Sequence, residues 1–502
     1  MVHAGWGDPT RRRGLPPGTQ DWLASRVGGG TPSTVQPVSA LPPSRLAADD
    51  VAALGADVTD EARVRCAAGR SYQDLVALRS GTFAVPDGVV ATSDVRSVLR
   101  TCAERGIAVV PFGGGTSVVG GVSPLAGSHR AVVALDLAPF DEVTVDETDL
   151  TAVLGAGLRG PDAEARLNAR GYTLGHFPQS FEYATIGGFA ATRSAGQAST
   201  GYGRFDTLVV GLTVETPAGP LSTGRGAATA AGPSVQQLFL GSEGAFGVIT
   251  SVTVRVKRLP AVKRYDAYLV RSWEDGIAQL RRLEQGGVVP DVARLSDVDE
   301  TTVNLRMGAP RAVRALARGR CLLVLGWEGT AASVKVRRKA ASVRGLPLPG
   351  AGDTWEHGRY HGPYLRDDLM DAGFLVETLE TSATWSTLPT VWAAVRTALD
   401  RALGRCVVMC HVSHLYPHGA SLYFTVLAAA SSDPSAQWQR AKEAASAALV
   451  ATGATITHHH AVGTDHRPWM TAEIGEVGVS VLRAVKAAVD PSGILNPGKL
   501  IP

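Results

Sequence analysis

The sequence predicts an α+β protein of two or more domains, and three observations carry this. The chain has 502 residues, more than one ordinary hydrophobic core accommodates. An early β-α-β unit runs into a loop of unusual glycine density. From about residue 261 to residue 450, strand-like runs alternate with amphipathic helical stretches, the pattern of an antiparallel sheet covered by helices.

Composition narrows the class. Apolar residues make up 45% of the chain and charged residues 19%, as in ordinary globular proteins. Against 49 basic residues stand 46 acidic ones, a net charge of +3, which is no electrostatic footprint for nucleic acid. No apolar run reaches the roughly 18 residues of a membrane span; a peripheral membrane contact leaves a fainter trace and stays open. The five cysteines, Cys66, Cys102, Cys321, Cys406 and Cys410, are few and odd in number. They suit free thiols in a reducing compartment, hence a cytoplasmic protein, rather than a disulfide framework. Cys406 and Cys410 lack a second pair at zinc-ribbon spacing, and no metal is expected.

Taken in order, residues 1–46 are rich in Pro, Gly, Ser and Arg and predict a flexible, partly ordered arm. Arg11-Arg12-Arg13 is not followed by the apolar segment of an export signal. A first domain is expected over 47–260. Phe83–Val90 reads as a short strand and turn, and Ser93–Gly106 as a helix with Ser93 as N-cap and Gly106 as its stop. Ile107–Val110 is a buried strand that feeds Pro111–Gly121, a stretch with five glycines in eleven residues. Glycine permits positive φ and close approach of the backbone, and successive free N–H groups form a nest for phosphate oxygens. The same composition also suits a plain surface loop. Its spacing matches neither the G-x-G-x-x-G fingerprint nor the Gly-Lys-Ser/Thr ending of a nucleotide-triphosphate loop.

Ala131–Leu137 and Thr151–Gly155 continue as strands, and Pro161–Arg170 as a short helix with Pro161 in its first turn. Thr185–Arg204 holds almost only small residues, hydroxyls and glycines. Such a run packs no core by itself; it either lines a ligand or makes tight turns where chains cross. Leu240–Val256 is a Gly-Ser-Glu-Gly turn feeding an alternating β-branched strand, and Asp490–Lys499 ends in Asn-Pro-Gly-Lys.

As an ordered set, Pro111–Ser117, Thr185–Gly203, Gly241–Thr250 and Asn496–Lys499 resemble the vanillyl-alcohol oxidase/p-cresol methylhydroxylase superfamily of FAD enzymes, from about residue 80 to the end. The resemblance implies a two-subdomain FAD-binding fold, split in sequence, with a cap over 261–450 inserted before a C-terminal return over 451–502. It implies that Gly113, Gly114, Gly115, Thr116 and Ser117, beside Pro111, hold the pyrophosphate. Gln179, Thr185, Gly187, Gly188, Thr192, Arg193, Ser194, Gly196, Glu243, Gly244, Gly247, Val248 and Ile249 then line the rest of the cofactor. Several members attach FAD through a His or Cys near the first loop. None adjoins it here, so noncovalent FAD is expected.

In the cap, Tyr416–Phe424, Thr457–Gly463 and Glu380–Trp385 resemble the alkylglycerone-phosphate synthase family, and Ala293-Arg294-Leu295 loosely matches its Ile-Arg-Leu. On that resemblance Tyr423 is the active-site tyrosine, and His458, His459 and His460 form an essential cluster. Arg366 contacts a substrate phosphate and Arg294 sits near the flavin's reactive face. The implied reaction has no net oxidation: the acyl group of an acyl-dihydroxyacetone phosphate is exchanged for a fatty alcohol, through attachment of the substrate carbon to flavin N5. The residue types fit, since histidine passes protons near neutrality and Arg clamps phosphate. The resemblance thus implies a lipid substrate; a homodimer stays open, and the Ala/Arg-rich style looks bacterial. An FAD dehydrogenase or oxidase of a 2-hydroxy acid or alcohol is the alternative. A metal gathered by His411, His414, His418 and the triplet would accompany it, but the acidic ligand used in that branch is missing.

Overall fold

The computed structural model describes residues 4–37 and 40–502. Its first half holds two small sheets and a two-stranded ribbon of Tyr172–Thr173 with Lys257–Arg258. In a parallel one, Ala131–Asp136 lies between Gly88–Ala91 and Ile107–Phe112. The helix between the outer strands runs Val95–Arg105, capped by Asp94, whose carboxylate accepts from Ser97 N at 3.1 Å. The cap is therefore Asp94 and not Ser93, since a carboxylate one residue later serves the same free N–H groups. Gly106 ends the helix in the left-handed region at φ 64°, as expected of a C-terminal glycine. An antiparallel sheet follows, ordered Val143–Asp146, Thr151–Gly155, Val248–Arg255, Val209–Thr216, Gly219–Ser222. Ile107, Val109 and Val133 of the first sheet share one core with Leu154, Val252 and Val254 of the second.

The C-terminal tail closes this half. Val109 N donates to Ile494 O, and Asn496 N to Val109 O, both at 2.8 Å, so the tail runs parallel to Ile107–Phe112. Asn496 Nδ2 then donates to the carbonyls of Gly121 at 3.0 Å and Glu243 at 2.6 Å, and Lys499 Nζ to that of Ser123 at 2.8 Å. The Asn-Pro-Gly-Lys motif is thus a staple between two glycine-rich turns.

The second half is built on a seven-stranded antiparallel sheet: Leu346–Pro347, Val262–Val270, Cys321–Gly329, Val292–Ser296, Cys406–Tyr416, Gly419–Ala429, Phe374–Thr384. Side chains alternate between its faces. Cys410, Val412, Leu422 and Phe424 pack against the helices Trp273–Gln285, Leu388–Leu403 and Pro434–Ala451. Their neighbours His411 and Tyr423 are consequently turned to the opposite face, toward the glycine-rich turns.

Residues 4–37 are not a loose arm. Thr19–Val27 is a helix whose Leu23 and Val27 are buried against Leu369, Phe374 and Leu427. Arg12 pairs with Asp368 at 2.6 Å and with Asp371, and Trp6 N donates to Asp367 Oδ2 at 2.6 Å. The carbonyls of Ala4 and Gly5 accept from Arg79 and Arg70. Composition favoured flexibility because this segment has few apolar residues; its order comes from those few and from charged partners distant in sequence, Asp367 and Asp368 more than 350 positions away. Among the described residues, no helix is long and apolar enough to cross a membrane.

Candidate active site

A cavity of about 440 Å³ lies between the two halves. On one side are the backbone of Gly113–Val118, the segment Ala184–Gln197 in part, and Glu243, Gly244, Gly247 and Ile249. A Cβ on Gly114 would overlap the Tyr183 carbonyl, and one on Gly113 would overlap Thr185 Oγ1. These glycines therefore serve a chain crossing and, by the same bareness, leave main-chain groups facing the cavity. Glu243, at φ 52°, turns its carboxylate away to accept from Val462 N and Gly463 N at 2.9–3.0 Å. Burial, opposed by those two N–H groups, pushes its carboxyl up to about 7.

The opposite wall is the exposed face of the large sheet, and strand register orders it into rows. Glu380 pairs with Tyr423, and Tyr423 with His411. One step along, Thr378 pairs with Thr425, and Thr425 with Met409; another step brings Val376 opposite Leu427. The wall therefore grades from ionisable to apolar, and Val303, Met307, Leu365 and Leu369 complete its apolar end. His411 and Tyr423 stack at 4.9 Å between centroids. A register shift between Ser413 and Leu415 puts His414 at φ 52°. Such a bulge re-aims a side chain, and both Ser413 and His414 line the cavity.

Glu380 organises the triple histidine. Its side chain is 0% exposed, and its carboxylate accepts from Thr457 Oγ1 at 2.6 Å and from the backbone N–H of His458, His459 and His460 at 2.5, 3.1 and 2.8 Å. Burial works to raise its pKa, but the surrounding histidines and the Thr457 hydroxyl hold it well below the usual carboxylate range. Burial also lowers all three imidazoles, to about 3 for His460. We take Glu380 as ionised through its N–H and O–H donors and the imidazoles as neutral. Burial pushes the Tyr423 phenol up to about 12, with a hydrogen bond to Thr378 acting against it.

Three imidazoles gather here: nitrogens of His414, His458 and His459 lie within 4.8 Å of one another. His414 Nδ1 is 2.5 Å from Ser199 Oγ, and His458 Nε2 is 2.6 Å from the Tyr416 hydroxyl. The cavity also holds unsatisfied donors. Nε and Nη2 of Arg366 are buried with no hydrogen-bond partner among the described residues, while Nη1 donates to Arg70 O at 2.7 Å.

Residues 88–224 match the family described as FAD binding domain, and residues 259–500 that of FAD linked oxidases, C-terminal domain. An alkyldihydroxyacetonephosphate synthase of Trypanosoma brucei brucei is 31% identical over 468 residues, covering 86% of this chain and 76% of that protein. The chain belongs to the alkyldihydroxyacetonephosphate synthase family. A solved alkyldihydroxyacetonephosphate synthase superposes with a TM-score of 0.84 at 25% identity, over 100% of this chain and 99% of that one. A substrate-bound p-cresol methylhydroxylase shares the fold, with a TM-score of 0.68 at 17% identity over 92% and 98% of the two chains. FAD is the cofactor of this family member, and the bare glycine turns together with the unsatisfied polar atoms of the cavity fit a large polar ligand.

Within this family framework the geometry sorts the expected residues. Pro111, Gly113, Gly114, Gly115, Thr116, Ser117, Gln179, Thr185, Gly187, Gly188, Thr192, Ser194, Glu243, Gly244, Gly247 and Ile249 lie on the cavity wall. So do Arg294, Arg366, Tyr423, His459 and His460. Arg193, Gly196, Val248 and His458 do not. Arg193 donates to Leu240 O at 2.9 Å and Gln237 O at 3.0 Å, and Val248 is a core strand residue. A Cβ on Gly196 would lie 2.6 Å from Phe177 N, so the glycine marks a crossing. His458 does not reach the cavity; its Nδ1 lies 2.9 Å from that of His459, in a bend whose three successive N–H groups converge on Glu380. Sequence reasoning missed Glu300 and Trp6, both on this wall, and weighed His414 only as a metal ligand. Glu300 looked like an ordinary first-turn residue of Val298–Gly308, capped by Asp297.

Proposed function

We propose that this protein exchanges the acyl group of an acyl-dihydroxyacetone phosphate for a fatty alcohol, forming an ether-lipid precursor with FAD held noncovalently. The observation that carries the reading is the graded wall, where a row of imidazole, phenol and carboxylate groups ends in an apolar pocket. A substrate with one phosphate, one activated C–H and one long chain matches it part by part. On this reading residues 47–260 and 451–502 form the cofactor domain and 261–450 the cap, and residues 4–37 lie over their junction.

When bound, FAD would supply the electron-accepting ring for an exchange with no net oxidation. Arg366 takes the phosphate on its two unpartnered donors, charge-assisted bonds of the stronger kind. The neutral imidazoles of His459 and His460 have lone pairs to accept the proton from the carbon beside the ketone. Glu380 carboxylate oxygens lie 3.6 and 3.8 Å from their Nδ1 atoms and offset the charge so formed. Tyr423, protonated at neutral pH, donates to the departing carboxylate. His458 acts behind them by fixing His459. A peripheral membrane contact, a cytoplasmic location and a homodimer belong to the same reading. The exposed Ile474, Val477 and Val481 on Met470–Val489 are the apolar surface for a membrane or second copy.

The test is mass spectrometry of products after adding acyl-dihydroxyacetone phosphate and hexadecanol without oxygen. Ether product and free fatty acid in equal amounts are expected; neither product sinks the reading. Oxidation of a 2-hydroxy acid is the second reading, favoured by the close nitrogens of His414, His458 and His459. Flavin reduction by D-lactate or glycolate would support it.

A further inference from the structure

Beside Tyr423, Arg294, Glu300 and His411 form a closed hydrogen-bonded cycle. Arg294 Nη2 donates to Glu300 Oε1. Arg294 Nη1 is 3.1 Å from His411 Nε2, and His411 Nδ1 is 3.0 Å from Glu300 Oε2. A guanidinium only donates, so His411 Nε2 is the acceptor and the ring proton sits on Nδ1, which donates to Glu300. Both imidazole nitrogens are thereby occupied, and His411 has no free lone pair for substrate. Its role is its ring face, stacked on Tyr423 at 4.9 Å and 20°. The cycle is fully satisfied and its formal charges cancel: guanidinium plus one, carboxylate minus one, imidazole neutral. Glu300 also accepts a longer bond from Asn304 Nδ2 at 3.4 Å.

Chain position explains the rigidity. Arg294 is on the strand Val292–Ser296, paired through Ser296 with His411 on Cys406–Tyr416. Glu300 sits at the start of Val298–Gly308, where its own N–H is tied to Asp297 at 2.8 Å. A four-residue turn thus returns the carboxylate beneath the guanidinium it follows. The Arg294 side chain keeps 22% exposure, and that exposure faces the cavity it lines.

We propose that Glu300 is a positioning residue, which clamps Arg294 and His411 into one neutral unit and sets the remaining Arg294 donors and the Tyr423 ring toward the reacting carbon. This deepens the ether-forming reading and rests on it for the identity of that carbon. Arg294 is then a hydrogen-bond donor whose charge is already balanced, so it binds the anion formed on proton loss without trapping a ground-state anion.

Two variants of the FAD-loaded enzyme separate charge from geometry. Glu300→Gln removes one buried negative charge; Glu300→Asp keeps it but shortens the reach. Sulfite, which bleaches the flavin band when it binds, is the probe of positive charge at the cofactor. Glu300→Gln should bind sulfite about tenfold tighter or more, the effect of losing one close counter-charge. Glu300→Asp should leave sulfite affinity within about threefold of wild type. Both should lower kcat about 100-fold with KM changed far less and FAD content intact, the pattern of misplaced groups. Unchanged sulfite affinity in Glu300→Gln overturns the clamp, as does kcat within about threefold in both variants. Loss of FAD in both overturns it too, since Glu300 would then be scaffold. If wild type forms no ether yet the sulfite contrast holds, the reaction assignment fails and the clamp stands.

Discussion

Glu380→Gln tests the organisation of the histidine segment. The side-chain amide oxygen can replace Oε1 and keep three bonds, from Thr457 Oγ1, His459 N and His460 N. The amide nitrogen would replace Oε2 and confront the His458 N–H, which now donates at 2.5 Å. Two donors then face each other, and an orphaned buried donor costs about 1–3 kcal/mol. The three surviving bonds fall from charge-assisted to neutral strength, roughly 0.5–1 kcal/mol each. Relief of burying a carboxylate offsets part of this, leaving a net loss of about 3 kcal/mol. For a chain of 502 residues that is a fall in Tm of roughly 3 °C. Activity should drop about 100-fold, because a small displacement of His459 and His460 is costly to a bound geometry. The sign of the pH effect follows from the depressed Glu380 pKa. Its contribution is complete above the unfolded carboxylate value, about 4.3, and is lost as pH falls through the lower folded value. Wild type and variant should therefore differ most at pH 7 and converge below about pH 4. Scanning calorimetry across pH with parallel rate measurements decides it. A variant within about 1 °C of wild type at pH 7 and with more than half its activity would refute the organising role.

Tyr423→Phe should retain FAD and stability while kcat falls roughly 10²–10⁴-fold; a variant with more than half the activity shows that the hydroxyl moves no proton. Tyr416→Phe loses its bond to His458 Nε2 and should cost about 1 kcal/mol of stability. Acid precipitation should release all the flavin into the supernatant; colour retained by the pellet would disprove noncovalent attachment. Burial holds His176, His361, His411, His414, His458, His459, His460 and His466, eight in all, below their ordinary value. The unfolded chain protonates them below about pH 6.5 and the folded chain does not, so this stability is present above that pH and lost on acidification. Asp74, Glu243 and Asp297, raised mainly by burial to about 6, 7 and 7, bind protons in the folded state and oppose the trend. The histidines outnumber the carboxylates raised that far, so urea midpoints should fall from pH 7 to pH 5.5, with roughly two to four protons taken up on unfolding; equal midpoints would contradict the neutral imidazoles.

Local chemistry made much of this protein legible in advance. The glycine-rich turns, the stop at Gly106 and the alternation of strands with helices over 261–450 are written in short windows, where backbone freedom and side-chain period act directly. The family also shows in such windows, because a cofactor loop needs its residue types in order. Tertiary structure alone decided which side chains meet. Arg12 finds Asp368, Glu380 gathers three backbone N–H groups from 458–460, and Asn496 joins two turns across the cofactor half. It also turned His458 behind the wall and brought Glu300 beneath Arg294. The reason is register: a residue's face on a strand depends on a pairing with a strand far away in sequence, and one step changes which groups share the site.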